Sequence, residues 1–427
     1  MKILVYPHDM AIGGSQLNAI ELAAAVKSLG HEVVVYGQSG PLVGRVRELG
    51  LEFIQSPTVR RRPTMGVAAH LRRTVKELGI DVVHAYEWPP ALEAALACAG
   101  GRTATVVTVM SMSVAPFIPA NVPLLVGTAQ IVAAEKDFGR EWVELLEPPV
   151  DTELNCSATD LDTARFMADL GASEDVFTLS IVSRLAHEMK LEGILCAISA
   201  VERINGSRPL QLIIAGDGPA RQTVAAAVLA SNAAMGVQRI FYAGELADPR
   251  VAYACADASI GMGGSALRAM AFGRPLIVQG ENGFWELLDE HSVQTFLWQG
   301  WYGVGPGTAG AQRRLMTIME QLLVDPALRA RLGKFSRALV MERFSLEGAA
   351  DRQLAFYQNA SHAGPTQRLA ALRHAGKAAG RFLRYKGDRF TAKIKGRHSL
   401  DDFNATAVVK TSALPAATAS KSAGAVP

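Results

Sequence analysis

Four places in this 427-residue chain bring together residue types that can hold an anionic ligand. Gly13-Gly14-Ser15 lies between an apolar run, KILVY, and a helical pattern, NAIELAAAVKSLG. Small residues there let backbone N–H groups approach a ligand, and a helix N-terminus favours negative charge. A tight turn also wants glycine for its own sake, so this signal alone is weak. Arg184 and Lys190, in IVSRLAHEMKLEG, stand at the end of a strand and the start of a helix. Two cations at the mouth of a parallel sheet suit a diphosphate; the bland alternative is a pair of solvated surface cations. Gly216-Asp217-Gly218 closes the run LQLIIAG, at the strand end where open α/β sheets bind ligands. Asp217 could equally cap the helix that follows. His8 and His84 end two further strands, LVYPH and DVVHAY, and are expected to face the same cleft.

The elements that position these residues follow from periodicity. KILVY, EVVVYG, LEFIQ, DVVHAY, TATVVTV, PLLVGTA and WVELLEPPV read as strands, with helical patterns such as AAHLRRTVKELG between several of them. Strand–helix alternation with apolar strands predicts a parallel sheet covered on both faces. Polar Asp151–Asp160 predicts a linker, after which the rhythm restarts: VFTLSIVSRL, LQLIIAGDG, RIFYAG, ASIGM and PLIVQ as strands. Helices are expected at about 312–324, 326–343 and 346–360, the last packing back across the first domain. The fold class is therefore α/β: two Rossmann-like doubly wound domains, 1–150 and 151–360, then a basic, partly disordered segment, 361–427.

Composition narrows the class. Hydrophobic residues at 49% and charged residues at 19% suit buried parallel strands rather than disorder. Cys98, Cys156, Cys196 and Cys255 are scattered, which argues against disulfides and structural zinc and for a reducing, cytoplasmic setting. The opening MKILVYP reads as a strand, not a signal peptide. Residues 103–134 carry no Asp, Glu, Lys or Arg, but Pro116, Pro119 and Pro123 break them into two buried strands rather than a membrane span. Between Ser361 and His398, ten Lys/Arg face one acid, Asp388, so the basic character sits in the tail and the body is mildly acidic. That is not a nucleic-acid-binding footprint.

Longer motifs carry a resemblance. GG-x-x-x-x-A-x-x-LA followed by LGHEVVVY, the strand–RL–helix segment around Arg184 and Lys190, GDGP, IFYAGEL and CADASIGMGGSALRAMAFGRPLIV together resemble family 4 glycosyltransferases of the GT-B fold. The resemblance covers roughly residues 1–360. It implies sugar transfer from a nucleotide-diphosphate donor, with retention, to a glycan, lipid or small-molecule acceptor on the first domain, without a bound metal. It implies that Arg184 and Lys190 offset the diphosphate charge, that Tyr242, Ala243 and Gly244 border the base, and that backbone N–H groups of Gly263, Gly264, Ser265 and Ala266 hold the sugar diphosphate. Gly13-Gly14-Ser15 would line the cleft.

The sequence also departs from the family. Two glutamates usually flank the Gly263 loop; here Ile260 and Arg268 occupy those positions. Arg268 accepts no hydrogen bond, so it cannot hold ribose hydroxyls as a glutamate does, but it can add a cation to the diphosphate. Glu281 and Glu286 are candidate substitute acceptors. Many relatives place a histidine where Met110 stands, which leaves His8 and His84 as candidate catalytic groups. Other functions consistent with the fold are a catalytically silent binding partner and a nucleotide-sugar 2-epimerase. In the tail, cations recur among Leu369, Leu372, Phe382, Leu383 and Tyr385, so a helix within 367–397 can rest on anionic lipid, giving peripheral membrane contact.

Overall fold

The computed structural model describes residues 1–394 apart from 159, 206–208 and 363–367, with the backbone alone at 368–373 and 392–394. The first half alternates β1 (Lys2–Tyr6), α1 (Gly14–Ser28), β2 (Glu32–Gly37), α2 (Val43–Glu48), β3 (Glu52–Gln55), α3 (Met65–Leu78), β4 (Val82–Tyr86), α4 (Trp88–Cys98), β5 (Ala104–Val109), β6 (Leu124–Val126), α5 (Ala129–Asp137) and β7 (Val143–Leu145). The second half runs α6 (Thr163–Leu170), β8 (Phe177–Val182), α7 (Leu191–Ile204), β9 (Leu210–Ala215), α8 (Arg221–Met235), β10 (Ile240–Gly244), α9 (Arg250–Ala254), β11 (Ala258–Gly261), α10 (Gly264–Ala271), β12 (Leu276–Gln279), β13 (Trp285–Leu287) and α11 (Val293–Gln299). It closes with α12 (Ala311–Val324), α13 (Pro326–Arg343), α14 (Leu346–His362) and α15 (Arg368–Ile394).

All seven strands of the first sheet pair in parallel, in the order β3-β2-β1-β4-β5-β6-β7. The second sheet runs β10-β9-β8-β11-β12-β13, parallel except for β13. In both, the order reverses beside the first strand of the half, β1 or β8. That opens a crevice at the strand carboxyl ends, where α/β sheets take ligands. The interior strands are buried on both faces, β9 throughout, which is why they read as unbroken apolar runs. The antiparallel β13 was not expected; its short run is set by Trp285, buried in the second core.

The charge-free stretch resolves into β5, β6 and a proline loop whose Phe117 and Ile118 are buried. No described helix is long and apolar enough to cross a membrane. The predicted linker is held in its first half: Arg337 of α13 donates to the Thr152 and Asn155 carbonyls (2.9 and 3.1 Å), and Val150, just before it, bridges in parallel to Ser345.

As expected, α14 packs back on the first half. Ala349, Ala350, Phe356 and Tyr357 join the core formed by β1, β2 and α1. The basic α15 docks on the same half: Phe382 and Tyr385 pack against Phe117, with ring centroids 5.3 and 5.1 Å away, and both flank Trp88. This corrects the expectation that Phe382 and Tyr385 face lipid. The side chains of Leu369 and Leu372, and the Ala/Ser/Thr/Pro-rich end of the chain, lie outside the described residues.

Candidate functional site

The loops singled out in the sequence gather at the carboxyl ends of the two sheets, and close backbone approach builds them. A Cβ on Gly216 would stand 1.9 Å from the Ser183 carbonyl oxygen, and one on Gly218 would stand 2.5 Å from that of Leu185. Glycine is therefore needed for the turn to lie against the loop after β8. The Gly216 N–H donates to the Gly244 carbonyl (2.7 Å), and the Tyr242 hydroxyl donates to the Gly216 carbonyl (3.1 Å). Tyr242, Ala243 and Gly244 thus border the turn, and the turn lies against Ser183 and Leu185, on either side of Arg184. The Asp217 carboxylate is engaged locally, accepting from the Gly218 N–H (2.7 Å) and facing Arg221 at 3.5 Å.

Arg184 is exposed at the sheet mouth, while Lys190 is half-buried at the N-cap of α7. Burial lowers the Lys190 pKa to about 8. No described acid forms an ion pair with it. Such a cation favours an incoming anion over water.

The loop before α10 is a tight turn closed by its own hydrogen bonds. Gly263 takes φ 56° and ψ −133° as the helix N-cap. Its N–H is held by the Trp301 carbonyl (2.7 Å), and the Ala266 N–H returns to the Gly263 carbonyl (3.1 Å). Ser265 Oγ closes the turn onto Met262. Gly263 and Ala266 therefore cannot donate to a ligand as expected. Two N–H groups of the expected four, on Gly264 and Ser265, have no described hydrogen bond. Arg268 bends back over them: its Nη1 lies 3.3 Å from where a Cβ on Gly264 would stand. A guanidinium at a helix N-terminus opposes the helix dipole, and an anion bound between them would relieve that conflict. Across the junction, the Arg268 charge reaches Glu21 of α1, whose pKa burial raises and Arg268 lowers in part.

Of the candidate substitute carboxylates, Glu286 is ion-paired to Arg314 (2.6 Å). Glu281 accepts from the Tyr302 hydroxyl, and its N–H donates to the Gly303 carbonyl (3.0 Å). The two Glu281 contacts hold the segment after β12 to the 300–305 strap. A Cβ on Gly300 of that strap would stand 3.0 Å from Thr128 Cγ2 in the first half, so the strap borders the first sheet's carboxyl edge.

In the first half, His84 is fully buried between Tyr357 (2.6 Å to the hydroxyl) and Thr108 (2.6 Å). Burial lowers its pKa to about 3. The ring is a neutral core bridge from the sheet to α14, which corrects the expectation that it faces the cleft. His8 does sit at the mouth, beyond β1, with Nε2 3.0 Å from Asp9 and 3.2 Å from the Gln16 amide. Burial opposes the Asp9 charge, but His8, Gln16 and the Ala11 N–H together hold that carboxyl below its ordinary range.

Sequence reasoning missed Glu87. It follows β4 with φ 65° and ψ 177°, a region nearly reserved for glycine that costs about 1–3 kcal/mol. Its buried Oε1 accepts from Ser15 Oγ (3.1 Å) and the Met110 N–H (3.0 Å). One carboxylate thus braces the glycine loop, the β4 end and the segment after β5. Burial raises its pKa; His8, the Met110 N–H, Ser111 and Ser15 lower it in part. The other non-glycine residues at positive φ are Met189, just before Lys190, and Asn282, just after β12. All three strained residues lie in these site loops.

With this geometry in place, comparison with known proteins is informative. Residues 12–124 match the model of Glycosyltransferase Family 4, and residues 176–300 match that of Glycosyl transferases group 1. The two matches fall on the two sheet-bearing halves, and the chain is a glycosyltransferase. No curated protein matches it in sequence. Among solved structures, this transferase is similar to a glycosyltransferase from Rickettsia africae, at 15% identity and TM-score 0.69 over 84% of this chain and 99% of that one. It is also similar to Anabaena HepE in complex with UDP, at 16% identity and TM-score 0.66 over 84% and 100% of the two chains. Sucrose-phosphate synthase from Thermosynechococcus elongatus gives 15% identity and TM-score 0.64 over 85% and 100%. The shared architecture is the two-domain GT-B fold.

Proposed function

We propose that this transferase moves a sugar from a nucleoside-diphosphate donor, with retention at the anomeric carbon, to a glycan or lipid-linked acceptor held by the first half. The observation that carries the reading is the cationic cradle of the second half. Lys190 lacks a described acid partner, Arg184 is exposed in the loop between β8 and α7, and Arg268 reaches back to Gly264 at the start of α10. HepE, with the same fold, has been seen with UDP and with UDP-glucose.

In this reading the bond from the anomeric carbon to the phosphate oxygen breaks as the cradle takes up the departing charge. The acceptor oxygen bonds to the same face of that carbon, and its proton passes to the leaving phosphate. Arg184, Lys190 and Arg268 supply the positive charge, and no bound metal is required. His8 and the Glu87 brace shape the acceptor side.

Calorimetric titration with UDP, GDP, ADP and dTDP, followed by sugar release from the matching donor, tests the reading. One diphosphate should bind in preference to its monophosphate. Binding of none would leave a silent homologue. Within the cradle, Arg268→Ala is expected to raise the donor KM or lower kcat roughly five- to tenfold, the effect of one half-buried charge-assisted contact. Unchanged kinetics would remove Arg268 from the donor site.

A further inference from the structure

The docked side of α15 leaves a second stripe uncovered. Ala378, Phe382, Tyr385 and Arg389, at spacings of four, three and four, turn toward the first half. Arg381 extends that seam, donating to the Pro116 carbonyl (3.2 Å) and lying 4.5 Å over the Phe138 ring. Residues 383, 386 and 390, at i, i+3 and i+7, form the neighbouring stripe. There Leu383 is 70% and Phe390 67% exposed, with Lys386 between them.

A loop of the first half adjoins this stripe. The loop and α15 both lie on α4: Arg62 of the loop pairs with Glu93, and Trp88 flanks Phe382 and Tyr385. Arg60 and Arg61 are exposed, and Met65, at the start of α3, is 72% exposed. The loop is anchored to the cleft mouth, because Arg62 pairs with buried Glu93 (2.6 Å) and donates to the His8 carbonyl. None of Arg60, Arg61, Arg384 and Lys386 forms an ion pair with a described residue. Trp88 and Phe117, under α15, also follow strand carboxyl ends. The patch therefore flanks the acceptor side of the cleft.

We propose that this patch, Leu383, Phe390 and Met65 ringed by Arg60, Arg61, Arg384 and Lys386, is a docking surface for an anionic lipid bilayer. Single exposed apolar side chains are common, but Leu383 and Phe390 share one uncovered stripe of a helix rich in cations. Long cations around them match anionic headgroups while the apolar tips enter the interface. The 27-residue helix, about 40 Å long, would lie along the leaflet and hold the His8 side of the cleft near it. The inference deepens the proposed lipid-linked acceptor and rests on that reading for its purpose, not for its test.

The test is co-sedimentation of the full chain, without donor, with phosphatidylcholine vesicles containing or lacking phosphatidylglycerol. Pelleting should require phosphatidylglycerol and fall with added salt. Leu383→Glu with Phe390→Glu should lower the bound fraction about tenfold, and Arg61→Ala with Lys386→Ala by a similar factor. Nucleotide titration of the same variants should be unchanged, so failure of docking and failure of the donor site are separately visible. Equal pelleting with neutral vesicles, or none with anionic ones, would overturn the proposal. So would wild-type binding by the Leu383→Glu, Phe390→Glu variant, which would leave plain charge adsorption or a protein partner.

Discussion

Lys190→Ala is expected to weaken nucleoside-diphosphate binding by about 1.5–3 kcal/mol, roughly 10- to 150-fold, the usual cost of a lost charge-assisted hydrogen bond. The sign of its pH dependence follows from burial. The Lys190 pKa falls from 10.5 to about 8, so the empty site is fully cationic only below about pH 8. A bound diphosphate favours the ammonium and raises that value. Affinity should therefore be greatest below pH 8 and decline above it, and binding near pH 9 should take up a proton. Titration calorimetry in two buffers of different ionisation heat reads that uptake directly. Linkage sets the sign for the empty fold too. Charging Lys190 costs the folded state below about pH 8, and the cost vanishes above the unfolded value. Lys190→Met should therefore bind donor poorly without lowering Tm. A loss of both would make Lys190 a packing residue, and a flat pH profile would remove it from the diphosphate site.

The second large effect is expected at Glu87. Glu87→Ala would leave the Met110 N–H and the Ser15 hydroxyl without their shared acceptor, and unsatisfied buried groups cost about 1–3 kcal/mol each. It also keeps the strained backbone. A loss of about 2–4 kcal/mol of stability is expected, read as a lowered urea midpoint. Activity should drop at least tenfold, because three loops at the carboxyl edge of the first sheet lose their common brace. Glu87→Gln retains one acceptor oxygen and should recover most of the stability. If the alanine variant matches wild type in both stability and kcat/KM, the brace does not matter.

Both sheets were legible in the sequence because their strands are buried on two faces and read as continuous apolar runs. The turn at Gly216-Asp217-Gly218 was legible for a similar reason, since only glycine permits its approach to Ser183. Three features were not. β13 is three residues long and antiparallel, too brief for a periodic signal. His84 ends its strand as a ligand-facing residue would, but α14, far along the chain, covers it. Glu87 follows the same strand and differs from a solvated glutamate only in its backbone angle, which composition does not reveal. Within the donor loop, the sequence could not say that the Trp301 carbonyl takes the Gly263 N–H, since that contact depends on a strap beyond β12.

The helix that closes the first core has a consequence for how the chain is made. His84 and Tyr357 are 273 residues apart in sequence, and Ala349, Ala350, Phe356 and Tyr357 of α14 complete a core otherwise built by the amino-terminal part. The amino-terminal part leaves the ribosome first but stays uncapped until residues 346–362 have been synthesised. A gene cut near codon 150 would encode a fragment with an open apolar face, prone to aggregation, rather than an independent domain. Supplying residues 346–362 in trans, or joined to that fragment by a flexible linker, is what would make it soluble.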